Sequence, residues 1–244
     1  MPPSSQKRPR VRSDIQADLA QMIASGDVPA GQTLPSEAEL ALRFGVSRTV
    51  VREAIKGLEA KYMVRSRPRV GTVVLPRDEW ALLDAEVLGW VSEYLDVMRF
   101  AEEVLEARRA IEPAAAALAC ARASLSDLAR IEQALDGMRQ AGGDPDLFTR
   151  ADLAFHEALL RASHNQVFLQ FIHSIRAGLN LMLLASNKSV DDYTRTVASH
   201  KALLDAMVAR DPEAARRASM AILERAEVDL HTGPLAREAA GPSG

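Results

Sequence analysis

Apolar residues recur at helical spacing along most of the chain, with one short stretch that reads as strands. A first helix is predicted over residues 13–25, where Ile15, Leu19, Met22 and Ile23 share a face. Beyond residue 80, no alternating strand pattern is found. The apolar stripes there predict helices over 81–94, 97–122, 124–140, 145–162, 165–185, 191–209 and 212–230. The predicted fold class is therefore mainly α.

A compact two-helix motif is predicted between Leu34 and Thr72. Ser36 is suited to cap a short helix, and Glu39, three residues later, can close a capping box. Gly45 ends that helix because glycine takes the left-handed conformation at low cost. Ser47 then caps a second helix. A short helix, a glycine turn and a second helix indicate a helix-turn-helix.

The second helix of this motif has one apolar and one basic face. Its predicted buried residues are Val50, Val51, Ala54, Ile55 and Leu58. Its outer face carries Arg48, Thr49, Arg52 and Lys56. In a helix-turn-helix the second helix enters the major groove of DNA. We therefore expect Arg48 and Arg52 to contact bases or phosphates, and Ser47 and Thr49 to contact the DNA backbone.

The stretch from Val64 to Leu75 reads as two short strands around a turn rich in arginine. A basic hairpin directly after a recognition helix is a wing, which contacts phosphates or the minor groove. Its candidate DNA-binding residues are Arg67, Arg69 and Gly71. The alternative is that these arginines are only a solvated basic face. The whole set at this spacing favours DNA binding.

The charge distribution divides the chain. Residues 1–78 hold 13 Lys and Arg against 8 Asp and Glu, and residues 79–244 hold 17 against 25. A basic module on an acidic body is typical of a DNA-binding domain joined to a different domain. The predicted segments are a flexible basic arm (1–12), a winged helix-turn-helix domain (13–76), a linker helix region (77–96), an all-helical effector-binding and dimerisation domain (97–232) and a disordered tail (233–244).

Composition excludes several classes of protein. No run approaches the twenty apolar residues that a membrane helix needs. The basic, proline-rich start lacks the apolar core of a secretory signal. Cys120 is the only cysteine in the sequence, so no internal disulfide can form, and it reads as a small buried residue. These features favour a cytoplasmic protein.

Histidine is scarce, with five in the chain and none before His156. Asp152 and His156 lie one helical turn apart, so both face the same side. A carboxylate and an imidazole at this spacing are a half-site for a divalent metal such as zinc, and His200 could supply a third ligand. The alternative for any single histidine is a packed or surface imidazole. We keep that interpretation for His164, His173 and His231.

The segment LPSEAELALRFGVSRTVVREAI, followed by RPRVGTVV, resembles the winged-helix domain of GntR-family bacterial transcription regulators. The motif is long and specific. Members of that family often have a basic residue at the position of Ala38, where it helps to hold a DNA phosphate. The resemblance therefore implies that the recognition helix and wing carry more of the binding in this chain.

The segments LEARRAIEPAAAALACARA, ADLAFHEALLRASHN and SHKALLDAMVARDPEAARRA resemble the FCD effector-binding domain of the FadR branch of that family. The resemblance implies a metal site at Asp152, His156 and His200, with Ile222 near the position of a fourth ligand. It also places Arg108 in the effector pocket. The alternative for Arg108 is a surface ion pair with Glu112. Asn165 is a second candidate for the pocket, although it could simply cap the helix that follows.

The resemblance implies a homodimeric, effector-responsive transcription regulator, in this family most often a repressor, that binds double-stranded operator DNA. The segment DEWALLDAEVLGW is similar to the linker of sugar-acid-responsive members, such as galactonate-operon repressors, which suggests a small carboxylate effector. Two alternatives stay open at this point. One is a metal-dependent enzyme acting on a small carboxylate, and the other is an architectural DNA-binding protein without an effector.

Overall fold

Two compact units make up the chain, with the division between Leu95 and Asp96. The computed structural model describes residues 12–185 and 190–232. The predicted arm and tail therefore lie outside the described residues, apart from Arg12. The first unit contains α1 (Arg12–Ala24), α2 (Glu37–Phe44), α3 (Arg48–Ala60), β1 (Val64–Arg67), β2 (Gly71–Val74) and α4 (Ala85–Val91).

The strands β1 and β2 form an antiparallel hairpin in which Val64 lies opposite Val74 and Arg67 lies opposite Gly71. The three helices α1, α2 and α3 pack beside it around one apolar core. Fully buried side chains of this core are Ile15, Leu19, Leu40, Leu58 and Met63. The predicted winged helix-turn-helix fold is confirmed.

The local signals at both ends of the turn are also confirmed. The Ser36 hydroxyl accepts a hydrogen bond from the Glu39 N–H at 3.3 Å, and the Glu39 carboxylate accepts one from the Ser36 N–H at 2.8 Å. Gly45 ends α2 with a φ of 69°, in the left-handed region. The Ser47 hydroxyl accepts from the Val50 N–H at 3.3 Å, so α3 begins at Arg48.

The prediction of one helix over 81–94 is wrong. The Asp84 carboxylate accepts hydrogen bonds from the backbone N–H groups of Glu86 and Val87, and this cap delays the start of α4 to Ala85. A 3₁₀ turn follows at Ser92–Tyr94. The preceding Trp80 is buried, and its indole N–H donates to the Leu75 carbonyl at 2.9 Å. This segment therefore packs onto the core of the winged helix.

The second unit is helical throughout its described residues, as predicted. It contains α5 (Val97–Arg122), α6 (Leu125–Gln140), α7 (Pro145–Ala162), α8 (Gln166–Gln170), α9 (Ile172–Ala185), α10 (Val190–Val208) and α11 (Pro212–Thr232). The single helix predicted over 165–185 is wrong, because the chain breaks between α8 and α9 at Phe171.

The core of this unit lies between α5, α6, α7, α10 and α11. Its fully buried side chains include Ile131, Leu135, Met138, Phe155 and Leu159. Cys120 is buried, as expected from the sequence. Among the helices described, none has both the length and the apolar character needed to cross a bilayer.

Candidate functional site

The exposed face of α3 carries the residues that the sequence assigned to DNA. Arg48, Thr49 and Arg52 are exposed, and Ser47 stands at the N-terminus of the helix. The opposite face is buried in the core through Val51, Ala54, Ile55 and Leu58. The amphipathic pattern thus turns the basic side of α3 to solvent, where a duplex has access to it.

Arg52 makes an ion pair that the sequence did not indicate. Its Nε donates to Glu37 Oε1 at 2.9 Å and its Nη2 donates to Glu37 Oε2 at 2.6 Å. The hydrogen bond from Arg52 holds the pKa of the Glu37 carboxyl below its ordinary value. Glu37 belongs to α2, 15 residues away, so no helical spacing relates the two. The pair fixes the direction of one basic side chain on the recognition helix.

The tip of the wing is a tight turn. The Val70 N–H donates to the Arg67 carbonyl at 3.2 Å, with Pro68 and Arg69 between them. Arg69 has a φ of 64°, a conformation that glycine adopts more easily. Arg67, Arg69 and Gly71 are all exposed. The wing therefore presents two arginines to solvent at the end of the hairpin.

A buried cluster of metal-ligating side chains lies in the helical unit. Asp152 and His156 come from α7 and His200 comes from α10, and all three are buried. His200 Nε2 lies 2.9 Å from Asp152 Oδ1 and 3.5 Å from His156 Nε2. His156 Nε2 lies 3.5 Å from Asp152 Oδ1. Three donor atoms from two helices therefore converge on one point.

Each histidine of the cluster has an acceptor atom near its other ring nitrogen, and the contact is well directed at His200 but not at His156. His200 Nδ1 lies 2.8 Å from the Thr196 carbonyl oxygen, and His156 Nδ1 lies 2.9 Å from Glu112 Oε2. Arg108 Nε donates to Glu112 Oε1 at 2.5 Å, and its Nη2 lies 3.2 Å from His156 Nε2. The pairing of Arg108 with Glu112 is thus present, but both side chains are buried rather than on the surface.

Buried charges shift the pKa values of this cluster. Burial raises the pKa of Glu112, but Arg108 and His156 outweigh it and hold the pKa at about 2. Burial lowers the pKa of His156, yet the Glu112 and Asp152 carboxylates more than offset it and raise the pKa to about 9. The pKa of Asp152 lies well below its ordinary value, because its contacts with His156 and His200 outweigh burial.

The donor set fits a divalent cation. Asp152 Oδ1 is buried and accepts no well-directed hydrogen bond from the described residues, although His200 Nε2 is close. Tetrahedral zinc with bonds of about 2.0–2.1 Å separates its ligand atoms by roughly 3.3 Å. The separations of 2.9–3.5 Å in the cluster match that value. One carboxylate and two imidazoles are ligand types that zinc and other divalent transition metals accept.

A small pocket opens beside the cluster. Arg108 lines it, and so does the buried Ile222, which lies near the position where the family resemblance puts a fourth ligand. Further residues line the pocket that the sequence did not indicate, namely Thr196, Ser199, Arg225, Ala226 and Asp229. Arg225, Ala226 and Asp229 follow Ile222 at intervals of three, four and seven residues and therefore share its helical face. This spacing is the sequence feature from which they could have been predicted.

Asn165 lies elsewhere. Its side chain accepts hydrogen bonds from the Val167 and Phe168 N–H groups at 3.0 and 3.3 Å, so it caps α8. It is not among the described residues that line the pocket beside the cluster. His164 and His231 are exposed and pair with Asp127 and Glu102. The remaining histidine, His173, is also exposed.

A winged helix with a basic outer face, joined to a helical domain that holds a buried cluster of one aspartate and two histidines, is the arrangement expected of a ligand-responsive DNA-binding transcription regulator. Comparison with known proteins identifies the family. Residues 11–74 match the bacterial regulatory proteins of the gntR family, and residues 103–225 match the FCD domain. The chain belongs to the GntR family of bacterial transcription regulators and carries an FCD domain. It is a regulator and not an enzyme.

Relatives with assigned roles are similar over most of their length. The chain is 36% identical to the galactonate operon transcriptional repressor of Escherichia coli over 211 residues, covering 86% of this chain and 92% of the relative. It is 32% identical to a putative L-lactate dehydrogenase operon regulatory protein of the same organism, covering 88% and 84%. A solved structure of Lar, which controls the agr system of Listeria monocytogenes, has a TM-score of 0.65 at 20% identity, covering 93% and 99%, and shares the fold.

Proposed function

We propose that this chain is a cytoplasmic, homodimeric repressor whose helical domain binds a small 2-hydroxycarboxylate, such as a sugar acid, through a divalent metal. The observation that carries this proposal is the convergence of Asp152, His156 and His200 at the wall of a pocket that Arg108 also lines. The relatives named above are the galactonate operon repressor and a protein named as the putative regulator of the L-lactate dehydrogenase operon. Galactonate and lactate share a carboxylate next to a hydroxyl group.

The metal would be held by Asp152, His156 and His200, and zinc is a divalent metal that binds such ligands. Ile222 offers no donor atom, so three protein ligands leave coordination positions for an effector. When bound, the metal supplies a Lewis acid that favours an anionic, chelating ligand. The Thr196 carbonyl and the Glu112 carboxylate support the two histidines from behind.

Arg108 would bind the effector carboxylate. A guanidinium can make two parallel hydrogen bonds to a carboxylate, and Arg108 already has its Nε anchored on Glu112. The hydroxyl-bearing Ser199 and the charged Arg225 and Asp229 line the same pocket and suit a polyhydroxy chain. Asn165 is a weaker effector candidate, since its side-chain oxygen already caps α8.

On the DNA side, Arg48 and Arg52 would contact bases or phosphates in the major groove, and Ser47 and Thr49 would contact the backbone. Arg67, Arg69 and Gly71 would bring the wing against phosphates or into the minor groove. Two winged helices of a homodimer would bind the half-sites of a short palindrome. The effector must favour one conformation of the dimer over another in order to change DNA affinity.

A thermal-shift experiment tests the effector and metal together. The purified protein is heated with D-galactonate, L-lactate or acetate, each with added zinc and again after chelation. A ligand that binds only the folded state raises Tm. We expect a rise with a 2-hydroxycarboxylate that depends on zinc and is absent with acetate. A rise that survives chelation would show that the effector binds without the metal, and no rise with either hydroxy acid would reject this effector class.

A further inference from the structure

Glu112 lies directly behind the cluster formed by Asp152, His156 and His200. It belongs to α5, and its side chain is only 1% exposed. One carboxylate oxygen, Oε1, accepts a hydrogen bond from Arg108 Nε at 2.5 Å. The other, Oε2, lies 2.9 Å from His156 Nδ1. One buried carboxylate thus connects the arginine of the pocket with a histidine of the cluster.

Glu112 contacts His156 at Nδ1, the ring nitrogen that does not belong to the cluster of donor atoms. His156 Nε2 faces Asp152 Oδ1 and His200 Nε2, each at 3.5 Å, and Arg108 Nη2 lies nearer, at 3.2 Å. When Nε2 offers its lone pair to a cation, the ring hydrogen must be on Nδ1. Glu112 Oε2 is an acceptor 2.9 Å from Nδ1, although the contact is not directed along the ring N–H bond. His200 is oriented independently, by the backbone carbonyl of Thr196.

A carboxylate is suited to this position in a way that an amide is not. Arg108 and His156 both present N–H donors to Glu112, and a carboxylate has an acceptor oxygen for each. An amide has one oxygen and one NH₂ group, so it can accept from only one of the two neighbours. The other neighbour would then face a second donor.

We propose that Glu112 is a positioning residue that holds His156 with Nε2 directed at the metal and anchors Arg108 beside it. The metal and the carboxylate of an effector would therefore bind side by side, each through a group that Glu112 orients. This inference rests on the proposed function, because it assumes that His156 is a metal ligand.

Two variants that differ only in the acceptor at position 112 test the idea. One variant combines Arg108→Met with Glu112→Gln, and the other combines Arg108→Met with Glu112→Met. Because each loses one positive and one negative side chain, neither is left with an unbalanced buried charge. With Arg108 absent, the amide oxygen is free to accept from His156 Nδ1, whereas the thioether is a poor acceptor. We expect the variant with Glu112→Gln to bind zinc about 10–100-fold more tightly than the variant with Glu112→Met, which is the usual effect of a residue that supports a metal ligand.

Zinc alone is the probe, and its affinity is measured by competition with a chromophoric chelator on folded protein. X-ray absorption at the zinc edge counts the imidazole ligands, with two expected for Glu112→Gln and one for Glu112→Met. A general packing effect would not change that count. Equal affinities with two imidazoles in both variants would overturn the positioning role.

Glu227→Gln is the matched control. It weakens the two hydrogen bonds by which Arg109 joins α5 to α11. Glu227 has no contact with His156 among these bonds, so zinc affinity should stay at the wild-type value. If the wild-type protein itself binds no zinc, the proposed metal site is wrong. If the wild type binds zinc and the two test variants behave alike, only the role of Glu112 is rejected.

Proton NMR of zinc-loaded wild type adds a test without substitutions, since a hydrogen-bonded His156 Nδ1 proton is expected and its absence would contradict the proposal.

Discussion

Arg52 on the recognition helix and Glu37 on α2 are joined by two hydrogen bonds of 2.9 and 2.6 Å. The arginine is therefore held in one direction before any DNA arrives. Its pairing also places a negative charge near the surface that is proposed to meet phosphates. Both consequences can be measured on DNA.

Glu37→Gln should reduce the preference of the protein for its operator over random DNA, because Arg52 loses the carboxylate that orients it. Binding to random DNA should become tighter, since a negative charge near the phosphates is removed. Fluorescence anisotropy with an operator selected from a random library and with a scrambled duplex measures both values. Glu53→Gln, which removes a pair with Lys56 on α3, is the control. An unchanged preference would show that the pair does not orient Arg52 for recognition.

Arg48→Ala should lower specific operator affinity by about 1–3 kcal/mol, the value of a good bidentate contact to a base. The same titrations at constant salt give the difference from wild type. Arg99→Ala removes an exposed arginine, paired with Glu103 in the helical unit, and should leave DNA binding unchanged. Wild-type operator affinity in the Arg48 variant would remove this residue from the DNA-binding surface.

His200→Gln should abolish most of the stabilisation that zinc gives to the folded protein. A ligand at 100 times its Kd stabilises the native state by about 2.7 kcal/mol, and loss of one of three ligands raises the Kd far above that range. Differential scanning fluorimetry with and without zinc measures the change in Tm. His173→Gln, a change at an exposed histidine on α9, is the control and should respond to zinc as the wild type does. A full zinc response in the His200 variant would be incompatible with the proposed site.

The protein in excess chelator should be most stable near pH 4.5–6.5. The pKa of Glu112 falls from 4.5 to about 2 on folding, so its contribution is complete above pH 4.5 and is lost as the pH falls through 2. The pKa of His156 rises from 6.5 to about 9, so its contribution is complete below pH 6.5 and is lost as the pH rises through 9. Tm should therefore decline between pH 6.5 and 9. A His156→Asn variant should decline less, and equal slopes would contradict this assignment.

The sequence by itself determined the local features of this protein. The boundaries of the helix-turn-helix could be predicted and are confirmed, because they depend on caps and turns formed between residues close in sequence. These residues are Ser36, Glu39, Gly45 and Ser47. The separation of Asp152 and His156 by one helical turn follows from helix geometry alone. The same local reasoning failed over 81–94 and 165–185, where helical stripes continue across the breaks at Asp84 and Phe171.

The tertiary structure decided everything that depends on packing between distant segments. His200 meets His156 across 44 residues, His156 meets Glu112 from another helix, and Arg52 meets Glu37 across 15 residues. No periodicity relates such pairs, because their contact depends on how whole helices pack. The burial of charged side chains also depends on how whole helices pack. The Arg108–Glu112 pair follows from spacing, but its position inside the domain, where it supports a pocket instead of lying in solvent, follows only from the packing of α5 against α7 and α11.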